Sequence, residues 1–245
     1  MTPTELVLLG AAVLAVAFLY SSVGQAGASG YIAVMSLFGL APDAMKPTAL
    51  TLNILVAAIA AWQFWRAGHF SWALFWPFAL LSVPCAFLGG YLTLPAAIFK
   101  AVVGAVLLFS AVGLLVRATA DDERGAPARP VSLALGAGIG LVSGLTGVGG
   151  GIFLAPILMY RRWARAGTVA AVSAVFILVN SMAALAGVAS AAQPIPRFAL
   201  VLVGAAAAGG AAGSWLGSHR LSPGAIKRVL AVILIVAGAR LLLMR

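Results

Sequence analysis

The sequence predicts an all-α polytopic membrane protein: two inverted repeats of five helical segments, with glycine-rich broken or re-entrant helices near the midplane. Three observations lead there. Of the 245 residues, 63% are hydrophobic and only 8% charged, against roughly half and a quarter in soluble domains. The apolar residues fall in long runs, at 6–20, 50–65, 98–116 and 229–239, each holding at most one charge, as a hydrocarbon core about 30 Å thick requires. The chain also resembles itself. Sliding it by 128 positions sets residues 84–117 against 212–245 without gaps, with identities at Leu88/Leu216, Gly89/Gly217, Pro95/Pro223, Ala97/Ala225, Ile98/Ile226, Ala111/Ala239, Leu114/Leu242, Leu115/Leu243 and Arg117/Arg245. Internal repeats of this kind typify transporter folds.

Charges, Gly/Pro clusters and loop residues cut the apolar runs into segments. The first half holds 4–23, which ends at SSVGQAGASG, then 28–40, 44–65, 70–92 and 95–117. The most polar stretch of the chain, TADDERGAPAR at 119–129, follows. Five more segments lie at 131–147, 151–161, 167–190, 197–218 and 223–245. The organisation is therefore a first membrane repeat over 1–118, a polar cytoplasmic linker over 119–130 and a second membrane repeat over 131–245. The second segment of each half is too short to cross alone without help from flanking residues. The first two segments of a half are thus either two spans or a hairpin that reverses inside the membrane. The start of the chain lacks a positive n-region and runs on into further membrane segments, so the first segment is expected to be retained rather than cleaved.

The net charge of +10 reads as topology rather than as nucleic-acid binding. If each segment returns the chain to the opposite face, ten of the fifteen Lys and Arg gather on one side: Arg66, Arg117, Arg124, Arg129, Arg161, Arg162, Arg165, Arg220, Lys227 and Arg228. The other side receives Lys46, Lys100, Arg197, Arg240 and Arg245. The positive-inside rule makes the richer face cytoplasmic and leaves both termini outside. Fusing the first two segments of each half into one broken span would divide the charges almost evenly, with no such logic. The tryptophans, mostly near segment ends, suit an interfacial belt, and lipid is the expected surroundings.

The breaks between first and second segments carry the chemistry. SSVGQAGASGY (21–31) and SGLTGVGGGIFLAP (143–156) occupy corresponding places. Glycine admits close backbone approach, and a helix that starts just after such a break presents unpaired N–H groups and the positive end of its dipole, which suits an anion. Glycines also serve plain helix packing. Polar company at the same depth favours a site: Ser21, Ser22, Gln25 and Ser29 in one half, Ser143 and Thr146 in the other. Asn53 and Asn180 each sit inside an apolar run of the third segments, either as interhelical glue or as substrate ligands. The candidate site is Ser22, Gly24, Gln25, Gly27, Ser29, Gly30 and Asn53 with Thr146, Gly147, Gly149, Gly150, Gly151 and Asn180.

The five acids, Glu5, Asp43, Asp121, Asp122 and Glu123, fall at segment ends or loops, and neither His69 nor His219 is mid-segment. A cation pathway or proton relay would place such groups inside the membrane. No nucleophile stands beside a base, the lone Cys85 forms neither a disulfide nor a cysteine cluster, and neither an enzyme nor a bound cofactor or metal is expected. A small anion is the expected cargo. An inside-negative potential drives it outward with about 2.3 kcal/mol per charge per 100 mV. A carrier and an anion channel both fit these features, and the repeat favours the carrier. A homodimer is compatible with the sequence, though no feature demands one.

At the glycine breaks the sequence resembles the sulfite exporter TauE/SafE family of membrane permeases, marked by a repeated G-x-G-G-G-x-x-x-x-P-x-L element. The second copy matches at Gly147, Gly149, Gly150, Gly151, Pro156 and Leu158. The first departs from it, with Gly24, Gln25, Gly27, Ser29 and Gly30 and no following proline. The closing elements LGGYL…LPAAIFKAVVGAVLL and LGSHR…SPGAIKRVLAVIL extend the likeness over nearly the whole chain. The resemblance implies transport, usually export, of sulfite, organosulfonates or related small sulfur-containing anions across a bacterial plasma membrane.

Overall fold

The computed structural model describes residues 2–22, 25–115, 125, 127–217 and 223–243. Gly24, most of the 119–130 linker, His219 and Arg220 lie outside the described residues. The described elements are ten α-helices: α1 (Pro3–Ser22), α2 (Ala28–Leu37), α3 (Pro42–Arg66), α4 (Trp72–Tyr91), α5 (Ala96–Leu115), α6 (Arg129–Thr146), α7 (Gly151–Tyr160), α8 (Ala166–Ser190), α9 (Arg197–Gly217) and α10 (Pro223–Leu243). They fall on the ten expected segments, with ends displaced by a few residues. Seven of them, α1, α3, α4, α5, α6, α8 and α9, are long and apolar enough to cross a membrane. The ten-residue helices α2 and α7 rise about 15 Å, half of a hydrocarbon core.

Glycine-lined contacts fix the direction in which the helices pack. Gly136, Gly140 and Gly144 of α6 lie on the backbone at Phe78, Ser82 and Ala86 of α4, so α6 runs parallel to α4. Gly209 and Gly213 of α9 lie on the backbone at Leu14 and Phe18, so α1 runs parallel to α9. α8 runs parallel to α4 as well: Gly167 meets His69 at their starts, Ser82 bonds Asn180 midway, and Gly90 meets Ala184 near their ends. By contrast, the α5–α10 pair is antiparallel, with Gly104 against Leu242 and Leu108 against Gly238. The partners therefore cross between halves: α1 rests on α9, and α6 on α4. A Cβ at Gly136, Gly140, Gly144, Gly209 or Gly213 would run into a carbonyl of the neighbouring helix. This is the close approach that small residues permit where no hydrophobic drive separates helix from lipid.

Lys46, which the sequence assigns to a segment end with the outer-face charges, lies inside α3 and is only 5% exposed. Its Nζ donates to the carbonyls of Gly89 (3.3 Å), Gly90 (2.8 Å) and Leu92 (2.8 Å). Gln193 Nε2 donates to Gly90 (3.2 Å) and Tyr91 (3.1 Å). The last turn of a helix leaves carbonyls unpaired and carries about half a negative charge. The ammonium is thus buried among carbonyls, with the end of α4 acting as its counter-charge. At the opposite end of the bundle, Arg66 lies over Trp62, Arg129 over Trp76 and Arg161 over Trp163, each 5.7 Å from the ring centroid. Trp62, Trp65, Trp72 and Trp76 are all exposed, as a membrane-facing aromatic belt requires.

These contacts separate two glycines that are neighbours in sequence. Gly140→Ala, forced onto Ser82, should destabilise the purified protein by about 1–3 kcal/mol, seen as a lower midpoint of thermal unfolding in detergent. Gly138→Ala, which meets nothing within 4 Å, should leave that midpoint unchanged or raise it, since alanine is the better helix former by about 1 kcal/mol.

Candidate functional site

The two breaks form as the residue types demand. α1 ends with Gln25 N–H donating to the Tyr20 carbonyl at 2.9 Å. Gly27, at φ 97°, then caps α2 in a left-handed conformation, with no side chain bonded to the first amides. In the other half α6 closes on Gly147 at φ 82°, Gly149 follows at φ 81°, and Gly150 at φ 82° caps α7, again without a side-chain cap. A residue with a Cβ pays about 1–2 kcal/mol for this conformation, which is why glycine occupies all four positions. The first amides of α2 and α7 thus start helices with no intrahelical partner.

Both helix starts reach one cavity. It is lined by Tyr20, Gln25, Ala26, Gly27, Ala28 and Ser29 from the first break, by Val148 and Ile152 from the second, and by Asn53 and Ile177 from α3 and α8. Its volume is about 10 Å³, room for about one water. Among the described residues, no charged side chain lines it. Tyr20 Oη and Ser29 Oγ share a hydrogen bond at 2.9 Å, and Tyr31 Oη donates to the Ala26 carbonyl at 3.0 Å. These bonds brace the first break from behind.

The two asparagines are each half paired. Asn53 Nδ2 donates to Ser181 Oγ at 3.0 Å, while Asn53 Oδ1 is buried without a partner. Asn180 Oδ1 accepts from Ser82 Oγ at 2.9 Å, while Asn180 Nδ2 is buried without a partner. Both residues are fully buried. One end of each amide thus ties helices together, as the interhelical reading expects, and the other is left over. A buried polar atom with no partner costs about 1–3 kcal/mol and calls for a reason. Ser21, Thr48, Ser143 and Ser173 also have buried hydroxyls without a partner.

The other expected site residues divide by role. Ser22 Oγ donates to the Leu19 carbonyl at 2.7 Å and Thr146 Oγ1 to the Val142 carbonyl at 2.7 Å, so both hydroxyls turn back onto their own helices. Gly30 is a packing position: a Cβ there would strike Val16 and Tyr20. At Gly151 it would strike Ile177, and at Gly149 the Asn53 amide. A Cβ at Gly150 would lie 3.0 Å from Ile139 and Phe176 and 3.5 Å from Asn180 Nδ2. Gly147 rests on the backbone of Lys46. The cavity thus gathers Gln25, Gly27, Ser29 and Asn53 directly, and the bare Gly149 leaves room for the Asn53 amide. Asn180, Thr146, Gly147, Gly150 and Gly151 stand around it rather than in its wall. Gly24 lies outside the described residues. Sequence reasoning missed Tyr20 and Tyr31; the signal was two tyrosines flanking the first break inside otherwise apolar helices.

An all-helical bundle with paired, uncapped helix starts at membrane depth has the anatomy of a transport protein. The comparisons with known proteins agree. The model of the family described as "Sulfite exporter TauE/SafE" matches residues 8–241. A protein of Sinorhizobium fredii (strain NBRC 101917 / NGR234), named "Probable membrane transporter protein y4hK", is 42% identical over 244 residues, covering 98% of this chain and 99% of that protein. No solved structure matches. The chain is a multi-pass membrane transporter, and it belongs to the sulfite exporter TauE/SafE family.

The site makes one residue critical. Gly149→Ala combines a strained backbone with a collision against Asn53. It should fold, eluting as a single species in detergent, and lose at least about tenfold in transport rate, the effect of roughly 1.4 kcal/mol. Wild-type flux from this variant would remove Asn53 and the second break from the site.

Proposed function

We propose that the protein exports a small sulfur-containing anion, such as sulfite or an organosulfonate, across a bacterial plasma membrane by alternating access. One observation carries the reading: the starts of α2 and α7, from opposite halves, reach the same uncharged cavity beside a half-paired asparagine. Helix starts bring N–H donors and positive dipole ends to a common point, which is what an oxyanion needs in a site without cationic side chains. The family's name supports the choice of sulfite. A cavity with room for about one water is too small for any sulfur oxyanion, so loading requires the helices around it to part; that favours a carrier over a continuous pore. The parallel pairing of α1 with α9 and of α6 with α4 supports two repeats of inverted sense. The potential then suffices to drive an anion outward without a coupling ion.

Efflux from proteoliposomes tests this directly. Sulfite loaded inside should leave with a saturable rate that rises as the interior is made more negative, and external sulfite should accelerate labelled efflux by counterflow. Large unitary currents would instead establish a channel, and no flux of sulfite or sulfonates would remove sulfur anions from the reading.

Orientation has its own check. With Cys85 replaced by serine, Arg66→Cys at the end of α3 should react with an impermeant maleimide only after the cytoplasmic side is opened. Asp43→Cys at its start should react in intact cells. The reverse pattern would invert the assignment of both termini to the outside.

A further inference from the structure

We propose that the cavity selects singly charged oxyanions that still carry a hydrogen-bond donor, hydrogensulfite rather than sulfite, and that Asn53 Oδ1 is the acceptor that reads the proton. The inference rests on the sulfur-anion reading above and specifies which protonation state crosses. Two independent observations carry it. The first concerns charge. Among the described residues the cavity has no charged side chain in its wall, and its positive potential comes from two helix starts. Each start is worth about half an elementary charge, so the pair offsets about one negative charge. A second negative charge would be taken from water into membrane depth with nothing to oppose it.

The second observation concerns the odd acceptor. A site built only for a fully deprotonated oxyanion would present donors alone, yet Asn53, in the cavity wall and fully buried, commits its Nδ2 to Ser181 and leaves Oδ1 over. The ligand that completes the site accepts from the amides of the first turns and donates one hydrogen bond to Asn53 Oδ1. Hydrogensulfite does both. Sulfate and sulfite exceed the charge that the site offsets, and a simple alkyl sulfonate has the right charge but no proton to give.

The pH dependence then belongs to the substrate. The titratable groups on the elements packed around Asn53 are Tyr20 on α1 and Tyr31 on α2, whose phenols ordinarily titrate near about 10, and Lys46 on α3, whose ammonium is held by the carbonyls ending α4. Glu5, Lys100 and Arg197 stand in the first turns of α1, α5 and α9, and Asp43 and Arg66 at the two ends of α3; α8 carries no ionisable side chain. Of all these only Tyr20 lines the cavity.

The experiment is uptake into proteoliposomes at fixed total sulfur(IV) and clamped potential, over a pH range spanning the loss of the second proton of sulfurous acid near neutrality. Methanesulfonate, whose charge is constant over the range, serves as reference. The sulfur(IV) rate should fall about tenfold per pH unit above that transition and superimpose at all pH values when plotted against hydrogensulfite, while methanesulfonate flux stays level. Asn53→Leu should lower the hydrogensulfite-to-methanesulfonate rate ratio about tenfold, and Ser181→Ala, which keeps Oδ1, should not. A rate that follows the dianion overturns the inference and leaves the exporter reading standing, and this wild-type result decides even if Asn53→Leu fails to fold. No flux of either sulfur(IV) species or of methanesulfonate overturns both.

Discussion

The structure depends on one constraint: at membrane depth a backbone N–H or C=O has no water to turn to. Eight of the ten helices meet it by running for 18 residues or more. The two breaks are where the constraint is deliberately left unmet, since α2 and α7 begin inside the bundle with no side chain on their first amides. Such starts persist only where they are enclosed by protein or lie on a cavity. The surrounding architecture supplies both, through close helix contacts that shut out lipid and a small polar-lined space between the halves. The same constraint explains Lys46, a charge that can be buried because the end of α4 has carbonyls in need of donors.

Glycine serves two different ends in this chain. Along α6, Gly136, Gly140 and Gly144 are ordinary helical residues chosen for the absence of a side chain, since α4 approaches within backbone contact. At Gly27, Gly147, Gly149 and Gly150 the choice is conformational, because the chain adopts positive φ. The former set holds the helices against which the latter set turns.

Most of the fold was legible because hydrocarbon thickness imposes itself on sequence: ten apolar runs became ten helices at nearly the expected bounds. The location of the breaks was legible for a similar reason, as clusters of glycine inside apolar sequence have few uses. What the sequence withheld were matters of partnership. Lys46 reads as an interfacial charge because the carbonyls that accept it lie more than forty residues away. Ser82 is unremarkable until α8 brings Asn180 against it, and Tyr20 is simply an aromatic residue until the chain folds Ser29 back onto its hydroxyl. Asn53 and Asn180 look like equivalents, yet only Asn53 reaches the cavity wall. Spacing within a helix cannot announce which face a distant helix will cover.

The exchange of partners between halves bears on how the protein is made. Because α1 rests on α9 and α4 on α6 and α8, the first half enters the membrane before its principal neighbours have left the ribosome. Until then Asn53 and Ser82, both destined for α8, and the carbonyl-lined grooves that will receive glycine face lipid or one another. Assembly of the tertiary structure must wait for α6 and is completed by α9 and α10, so the two halves are one unit of biogenesis although they look like two units of sequence. A chain interrupted after α5 would be a membrane-inserted intermediate displaying polar side chains to the bilayer, the kind of surface by which quality-control proteases recognise unassembled membrane proteins.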